Sequence, residues 1–264
     1  MPEACPEAFL ALAERLADVA RAEVRPHYRS HLAVEDKADT SPVTQIDRAS
    51  EAAMRRLIEA EAPEHGVVGE EYGRDRPEAE FVWVLDPIDG TKRFITGSPL
   101  FGTLIALLQD GVPLLGVIEM PALQERWVGG RGRPTIARDA QGERRVAVRP
   151  CASLDAASLS ASSPHMFEGP DAEAFERLRH AVKLTLYGGD CHSYATVAEG
   201  LHDLVVEANM SPYDYLAQVA VVEGAGGVMS DWQGRPLSLE SDGRVIAAGD
   251  PALHAAALVR LAGD

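Results

Sequence analysis

Cysteine, long apolar runs and positive charge are all scarce in this chain. Only Cys5, Cys151 and Cys191 are present, an odd number at scattered positions. They fit a reducing cytoplasm better than a disulfide framework or a Cys-based zinc site. The most apolar central run, Leu104 to Leu108, is far too short to span a bilayer. Met1 to Glu14 carries acids and lacks a basic segment followed by an apolar one. No secretory signal is therefore expected, and a cytoplasmic location is. Repeats and low-complexity tracts are absent as well.

Basic residues number 25 against 41 acidic ones, a formal charge of −16. Such a field repels nucleic acid and anionic membranes at long range, so neither is an expected partner. The hydrophobic fraction of 46% and charged fraction of 25% are ordinary for a globular protein. A length of 264 residues suits one large domain or two moderate ones that need no disulfide support.

Phe9, Ala13, Leu16, Ala20 and Val24 lie at helical spacing, predicting an amphipathic helix over 7–29. A second helix is predicted from about Thr44 to Ala62, stopped by Pro63 and Gly66. Strand-like segments follow at 66–69, 81–85, 101–108 and 112–118, the last two joined by a hairpin turn at Gln109-Asp110-Gly111. Arg131 to Gly142 is expected to be an exposed loop, and Val146 to Val148 a short strand. After Pro150, strand and helix signals alternate to the end, which indicates an α/β layer. The expected division is an N-terminal α+β domain, residues 1–150, and a C-terminal α/β domain, residues 151–264.

The strongest local feature is Asp86-Pro87-Ile88-Asp89-Gly90-Thr91, directly after the apolar Phe81 to Leu85. Pro87 cannot continue a ladder, so the strand is expected to end there. Two carboxylates three residues apart, with the Ile88 carbonyl between them, offer hard oxygen ligands to Mg²⁺ or Mn²⁺. Gly90 and Thr91 offer N–H groups to a phosphate oxygen. An isolated D-x-x-D-G also reads as an Asx turn after a strand. Glu70 and Glu71 read equally as a solvated strand edge, Asp214 as a helix-terminal charge, and Asp47 as part of a capping box beginning at Thr44.

Taken together, Lys37…Val43-Thr44-x-x-Asp47, Gly69-Glu70-Glu71, Trp83 to Thr91, and Asp214 followed by Glu223 to Gly227 resemble the inositol monophosphatase superfamily. The resemblance spans about residues 35 to 232. Within it, Asp86 to Leu108, Ser163 to Phe167, Tyr187 to Tyr194, Asp203 to Glu207 and the pair Tyr213-Asp214 are similar to the histidinol-phosphatase branch. Arg138-Asp139 departs from the family pattern, where an Asn-Gly turn is usual. The fold implied is a layered αβαβα sandwich of the fructose-1,6-bisphosphatase/inositol monophosphatase type.

The resemblance implies that Glu70, Asp86, Asp89, Asp214 and the Ile88 carbonyl bind two or three Mg²⁺, with Mn²⁺ as a substitute. Physics supports the grouping, because four converging carboxylates without cations repel one another. It further implies that Glu70 positions the attacking water and that Thr91, hydrogen-bonded to Asp47, receives its proton. Gly90 and Thr91 amides would hold the phosphate, and Lys37 would lie near the cluster. Asp89, Gly189, Asp190, Cys191, Glu207 and Asp214 would border the substrate. Glu207 and Asp190 suit the cationic groups of histidinol phosphate. His165 and His192 are not assigned to metal, since hard Mg²⁺ does not favour imidazole.

The implied activity is hydrolysis of a small phosphomonoester, histidinol phosphate first, by a homodimer. The competing activity is that of an inositol-1-monophosphatase or a broader small-molecule phosphatase. A regulatory, protein-binding role is the alternative from another class.

Overall fold

A computed structural model describes residues 4–30, 34–36 and 42–263. The chain opens with α1 (Glu7–Val24), a short ribbon of β1 (Val34–Asp36) with β2 (Pro42–Thr44), and α2 (Gln45–Glu61). The first helix stops five residues before its predicted end. A single 3-10 turn, Arg25–His27, replaces its last turn, where Pro26 has no N–H to give the helix.

Eight strands form the larger sheet: β3 (Gly66–Gly69), β4 (Gly73–Asp75), β5 (Phe81–Asp89), β6 (Gly102–Gln109), β7 (Val112–Met120), β8 (Glu125–Gly130), β9 (Arg133–Asp139) and β10 (Gly142–Arg145). Their order is β10-β9-β8-β7-β6-β5-β3-β4. Every pair is antiparallel except β3 with β5. The helix α3 (Thr91–Ile95) follows β5.

The smaller sheet contains β11 (Ser158–Ala161), β12 (Leu184–Tyr187), β13 (Leu204–Glu207), β14 (Val228–Ser230) and β15 (Val245–Ala248), in the order β12-β11-β13-β15-β14. Its helices are α4 (Pro170–Arg179), α5 (Cys191–Ala198), α6 (Pro212–Gly224) and α7 (Pro251–Ala262).

Period-two alternation stacks these elements. Trp83, Leu85, Ile105, Leu107, Leu115 and Val117 face a core shared with α1 and α2. Val82, Val84, Leu104, Ala106, Leu108 and Ile118 face the opposite way, onto α5 and α6. Val205, Val245 and Ala247 of the smaller sheet close that central core from the other side. Leu204, Val206, Ile246 and Ala248 turn outward onto α4 and α7. The result is the layered αβαβα sandwich, and its central core draws on both sides of residue 150. Among the described residues no helix is long and apolar enough to cross a membrane.

Three local expectations need correction. The stretch 131–142 is not a loop, because 133–139 is β9, paired with β8 and β10. Thr135 and Ala137 are buried on one face, an alternation that arginines and glycines obscure in the sequence. Residues 146–148 lie outside any ladder. Val146 and Val148 instead donate their N–H groups to Thr135 and Ala225 carbonyls. Finally, β5 does not stop at Pro87. It runs on to Asp89 with a register irregularity between Asp86 and Asp89, the kind of position where a proline is tolerated inside a sheet.

Candidate metal and phosphate site

The irregular end of β5 turns two acids toward the start of α6. Oxygen atoms of Asp86, Asp89 and Asp214 all lie within 4.8 Å of one another. Asp214 reaches this place because α6 packs tightly on the larger sheet. A Cβ on Gly116 would collide with the Ala217 carbonyl, and one on Gly129 with the Ala220 carbonyl. Ser211 caps the helix reciprocally with Asp214, whose Oδ2 accepts the Ser211 N–H at 2.7 Å. The capping role read from the sequence and the clustering with Asp86 are therefore both present in one side chain.

Burial and like charge make this cluster electrostatically expensive. Burial, then the negative charges of Glu70, Asp89, Asp214 and Asp47, push the Asp86 carboxyl well above the usual carboxylate range. Asp89 is raised likewise by burial and by Asp190, against the opposing hydrogen bonds of Cys191. Asp214 is pushed up to about 7, again chiefly by burial, while the Ser211 N–H opposes it. Asp86 Oδ1 is buried without a hydrogen-bond partner among the described residues. Hard, convergent oxygens with an unsatisfied buried acceptor fit a divalent cation such as Mg²⁺, and poorly fit an apo resting state. The chain thus carries an acidic cluster compatible with divalent-metal binding.

The remaining predicted residues fall around this cluster in different ways. Glu70 follows β3, its N–H bonded to the Leu85 carbonyl at 3.2 Å, and its charge acts on both Asp86 and Asp214. Asp47 is buried in the first turn of α2. Gly90 is at φ 77°, a left-handed conformation that favours glycine, and it begins α3. The Thr91 hydroxyl donates to the Ile88 carbonyl at 3.0 Å, so its hydrogen points there rather than to Asp47. Lys37 lies outside the described residues.

Residues expected to border the substrate are more engaged than the sequence implied. Asp190 Oδ2 accepts from Arg93 Nε at 2.9 Å. The Cys191 N–H donates to Asp89 Oδ2 at 2.9 Å. Glu207 is only 1% exposed. It accepts from the Ser162 N–H at 2.8 Å, from the Ser162 hydroxyl, and from the Tyr194 hydroxyl at 2.7 Å. Burial still raises its carboxyl above the ordinary value despite these donors. Gly189 packs against Ser193, whose hydroxyl a Cβ there would strike.

Sequence reasoning missed Arg93, Ser162, Tyr194 and Glu51. Glu51 is fully buried and accepts the Glu71 N–H at 2.7 Å, the Tyr72 N–H at 3.3 Å and Arg55 Nε at 2.7 Å. It thereby fixes the turn that carries Glu70. Its position one helical turn after Asp47 was the available signal.

Against known proteins, the profile of the inositol monophosphatase family matches residues 6–262. The chain belongs to this family. It is 46% identical over 262 residues to the chloroplastic bifunctional phosphatase IMPL2 of Arabidopsis thaliana, covering 96% of this chain and 75% of that protein. It is 41% identical over 228 residues to a histidinol-phosphatase of Mycobacterium tuberculosis, covering 85% and 88%. Among solved structures, an inositol monophosphatase from Zymomonas mobilis superposes with a TM-score of 0.89 at 48% identity, covering 97% of this chain and 98% of that one. The chain is accordingly a phosphomonoesterase of the inositol monophosphatase superfamily, with the metal-dependent chemistry that its acidic cluster fits.

Proposed function

We propose that this protein is a Mg²⁺-dependent phosphatase of small organic monophosphates with a broad alcohol scope that includes inositol monophosphate. The observation that carries the proposal is the triad Asp86, Asp89 and Asp214, its oxygens within 4.8 Å, at the mouth of the Gly90-Thr91 turn. In the proposed site Asp86, Asp89, Asp214, Glu70 and the Ile88 carbonyl hold two or three cations. Bound there, the cations supply charge neutralisation and Lewis acidity for phosphoryl transfer.

The chain's own groups do the positioning. The Gly90 and Thr91 N–H groups hold phosphate oxygens, and Glu70 orients the attacking water. The Thr91 hydroxyl can pass a proton to Asp47 only after turning away from the Ile88 carbonyl. The segment after residue 150, with Gly189, Asp190, Cys191 and Glu207, walls the leaving-group side in this proposal. Because Glu207 is buried against Ser162 and Tyr194 and Asp190 is paired with Arg93, we base no preference for a cationic alcohol on either acid.

A second reading, histidinol phosphate as the preferred substrate in histidine biosynthesis, is favoured by a different observation. Relatives called histidinol-phosphatase from Mycobacterium tuberculosis and Chlorobaculum parvum are 41% and 35% identical over more than four-fifths of this chain. Phosphate release with Mg²⁺ from histidinol phosphate, inositol 1-phosphate, fructose 1,6-bisphosphate and 3′-phosphoadenosine 5′-phosphate separates the two. Comparable kcat/KM for the first two supports broad scope. A hundredfold preference for histidinol phosphate would replace it with the second reading. No release from any of the four would refute the phosphatase assignment itself.

A homodimer is also proposed. It is supported by the edge strand β12, where Leu184, Leu186 and Tyr187 are 49%, 49% and 43% exposed. Light scattering on the purified protein decides it, a monomeric mass being the contrary result.

A further inference from the structure

Asp190 immediately precedes α5, and its backbone stands at φ 45° and ψ −138°. Glycine adopts that conformation readily, whereas a residue with a Cβ is held there by its surroundings. Glycines already occupy the two preceding positions, Gly188 and Gly189. An aspartate in the third implies a task for its side chain. Arg93 shows what the task is. Its Nε donates to Asp190 Oδ2 at 2.9 Å, and its guanidinium lies so close to Gly188 that a Cβ there would collide with Nη2.

Arg93 is on α3, two residues after Thr91. It therefore ties the segment carrying Asp86 and Asp89 to the segment entering α5, 97 residues away in sequence. One residue beyond Asp190, the Cys191 N–H donates to Asp89 Oδ2.

We propose that Arg93 is a positioning residue for the metal site. Through Asp190 it fixes the first turn of α5, so that the Cys191 amide holds one oxygen of Asp89 and leaves the other for a cation. This rests on the proposed role of Asp89 as a cation ligand. Arg93 touches neither the cation nor the phosphate in this arrangement. Its effect reaches them through a carboxylate, a strained backbone and an amide.

The test is titration calorimetry of Mg²⁺ into the substrate-free protein, with thermal melting alongside. Arg93→Gln should weaken Mg²⁺ binding about tenfold, the low end for groups that orient metal ligands. Arg93→Lys should restore part of the loss, since charge returns without the planar fork. Asp190→Gly should be milder than Asp190→Ala, because glycine keeps the φ of 45° without a partner while alanine does not. Asp89→Asn serves as the control. If Asp89→Asn weakens Mg²⁺ binding and Arg93→Gln does not, the positioning role is overturned, even if melting temperature falls. If neither variant alters Mg²⁺ binding, the ligand role of Asp89 fails and takes the proposal with it. Equal losses in Asp190→Gly and Asp190→Ala would refute the backbone part of the argument.

Discussion

Replacing Asp214 with Asn should stabilise the metal-free protein while removing most of its response to Mg²⁺. Asp214 shares a 4.8 Å cluster with Asp86 and Asp89. At that separation two unit charges repel by about 3 kcal/mol at an effective dielectric of ~20. The same strain appears as the rise of the Asp214 carboxyl from 3.8 to about 7. Three units correspond to about 4 kcal/mol, which the partial solvent access of the half-buried Asp214 reduces to about 2 kcal/mol. For a chain of this size that is a gain of about 4–8 °C in melting temperature.

Asn can still accept the Ser211 N–H that Asp214 accepts at 2.7 Å, so the helix cap is retained. The sign fixes the pH window. A carboxyl raised in the folded state destabilises it progressively as pH climbs from the unfolded value near 3.8 to the folded value near 7, and fully above that. Calorimetry of EDTA-treated protein should therefore show the gain in full at pH 8 and less than half of it at pH 5. Adding Mg²⁺ should raise the melting temperature of the parent protein and barely move that of the variant. A metal-free variant no more stable than the parent at pH 8, or equally stabilised at pH 5, would refute the reasoning.

Other consequences are simpler to state. EDTA should abolish turnover and Mg²⁺ restore it, and Asp89→Asn should lower kcat by about a hundredfold or more with the circular dichroism spectrum unchanged. Full activity in EDTA would contradict this. Thr91→Ala should lower kcat more than it raises KM, because the proposed contact of the hydroxyl is with the attacking water and not with the ester; an unchanged kcat with raised KM would make Thr91 a binding residue instead. Glu207→Gln should slow histidinol phosphate and inositol 1-phosphate by the same factor, since Glu207 is engaged with Ser162 and Tyr194; a selective loss for histidinol phosphate would return it to substrate recognition. Although burial opposes it, Arg149 and Ser158 hold the Asp203 carboxyl down to about 2. Arg149 and Ser158 together should contribute about 1 kcal/mol at neutral pH, the exposure of Arg149 reducing the full figure, and this is lost as pH falls from about 4 to about 2. Acid titration of Arg149→Gln should show a shallower loss, and an unchanged acid limb would count against the pair.

What could be read from the sequence was what lies close together in it. Asp86, Ile88, Asp89, Gly90 and Thr91 announce themselves because six consecutive residues supply carboxylates, a carbonyl and exposed amides at the end of an apolar strand. β5, β6 and β7 were legible as strands because residues buried on both faces leave near-continuous apolar runs, whereas their stacking into layers was implied only by the family resemblance. β9 was not, since Arg133, Arg138 and Asp139 outweigh the two small inward residues Thr135 and Ala137. Asp214 is ambiguous by itself, since nothing local distinguishes a capping acid from one that caps and also joins a cluster. The partners of Asp190 and Glu207 were invisible for a different reason. Arg93 and Asp190 are 97 residues apart, and Ser162 and Glu207 are 45 apart, so only the folded chain brings donor to acceptor.

Those pairings also answer how a chain of charge −16 can receive a phosphate. Either the substrate brings positive charge of its own or cations stand between. Asp190, the partly exposed acid beside the site, is already neutralised by Arg93, and Glu207 is buried beneath three donors. Neither needs a substrate ammonium to satisfy it, so the first explanation loses its structural footing. The second gains it. Once ionised, Glu70, Asp86, Asp89 and Asp214 would together present four negative charges that two divalent cations would cancel and a third would exceed. Surface charges farther off are screened over about 8 Å at physiological salt, so the field a phosphate would meet at the proposed Gly90-Thr91 site is set by this cluster and not by the chain's net charge. The broad alcohol scope proposed above is what such a site would give, because the recognition proposed for it is directed at the phosphate.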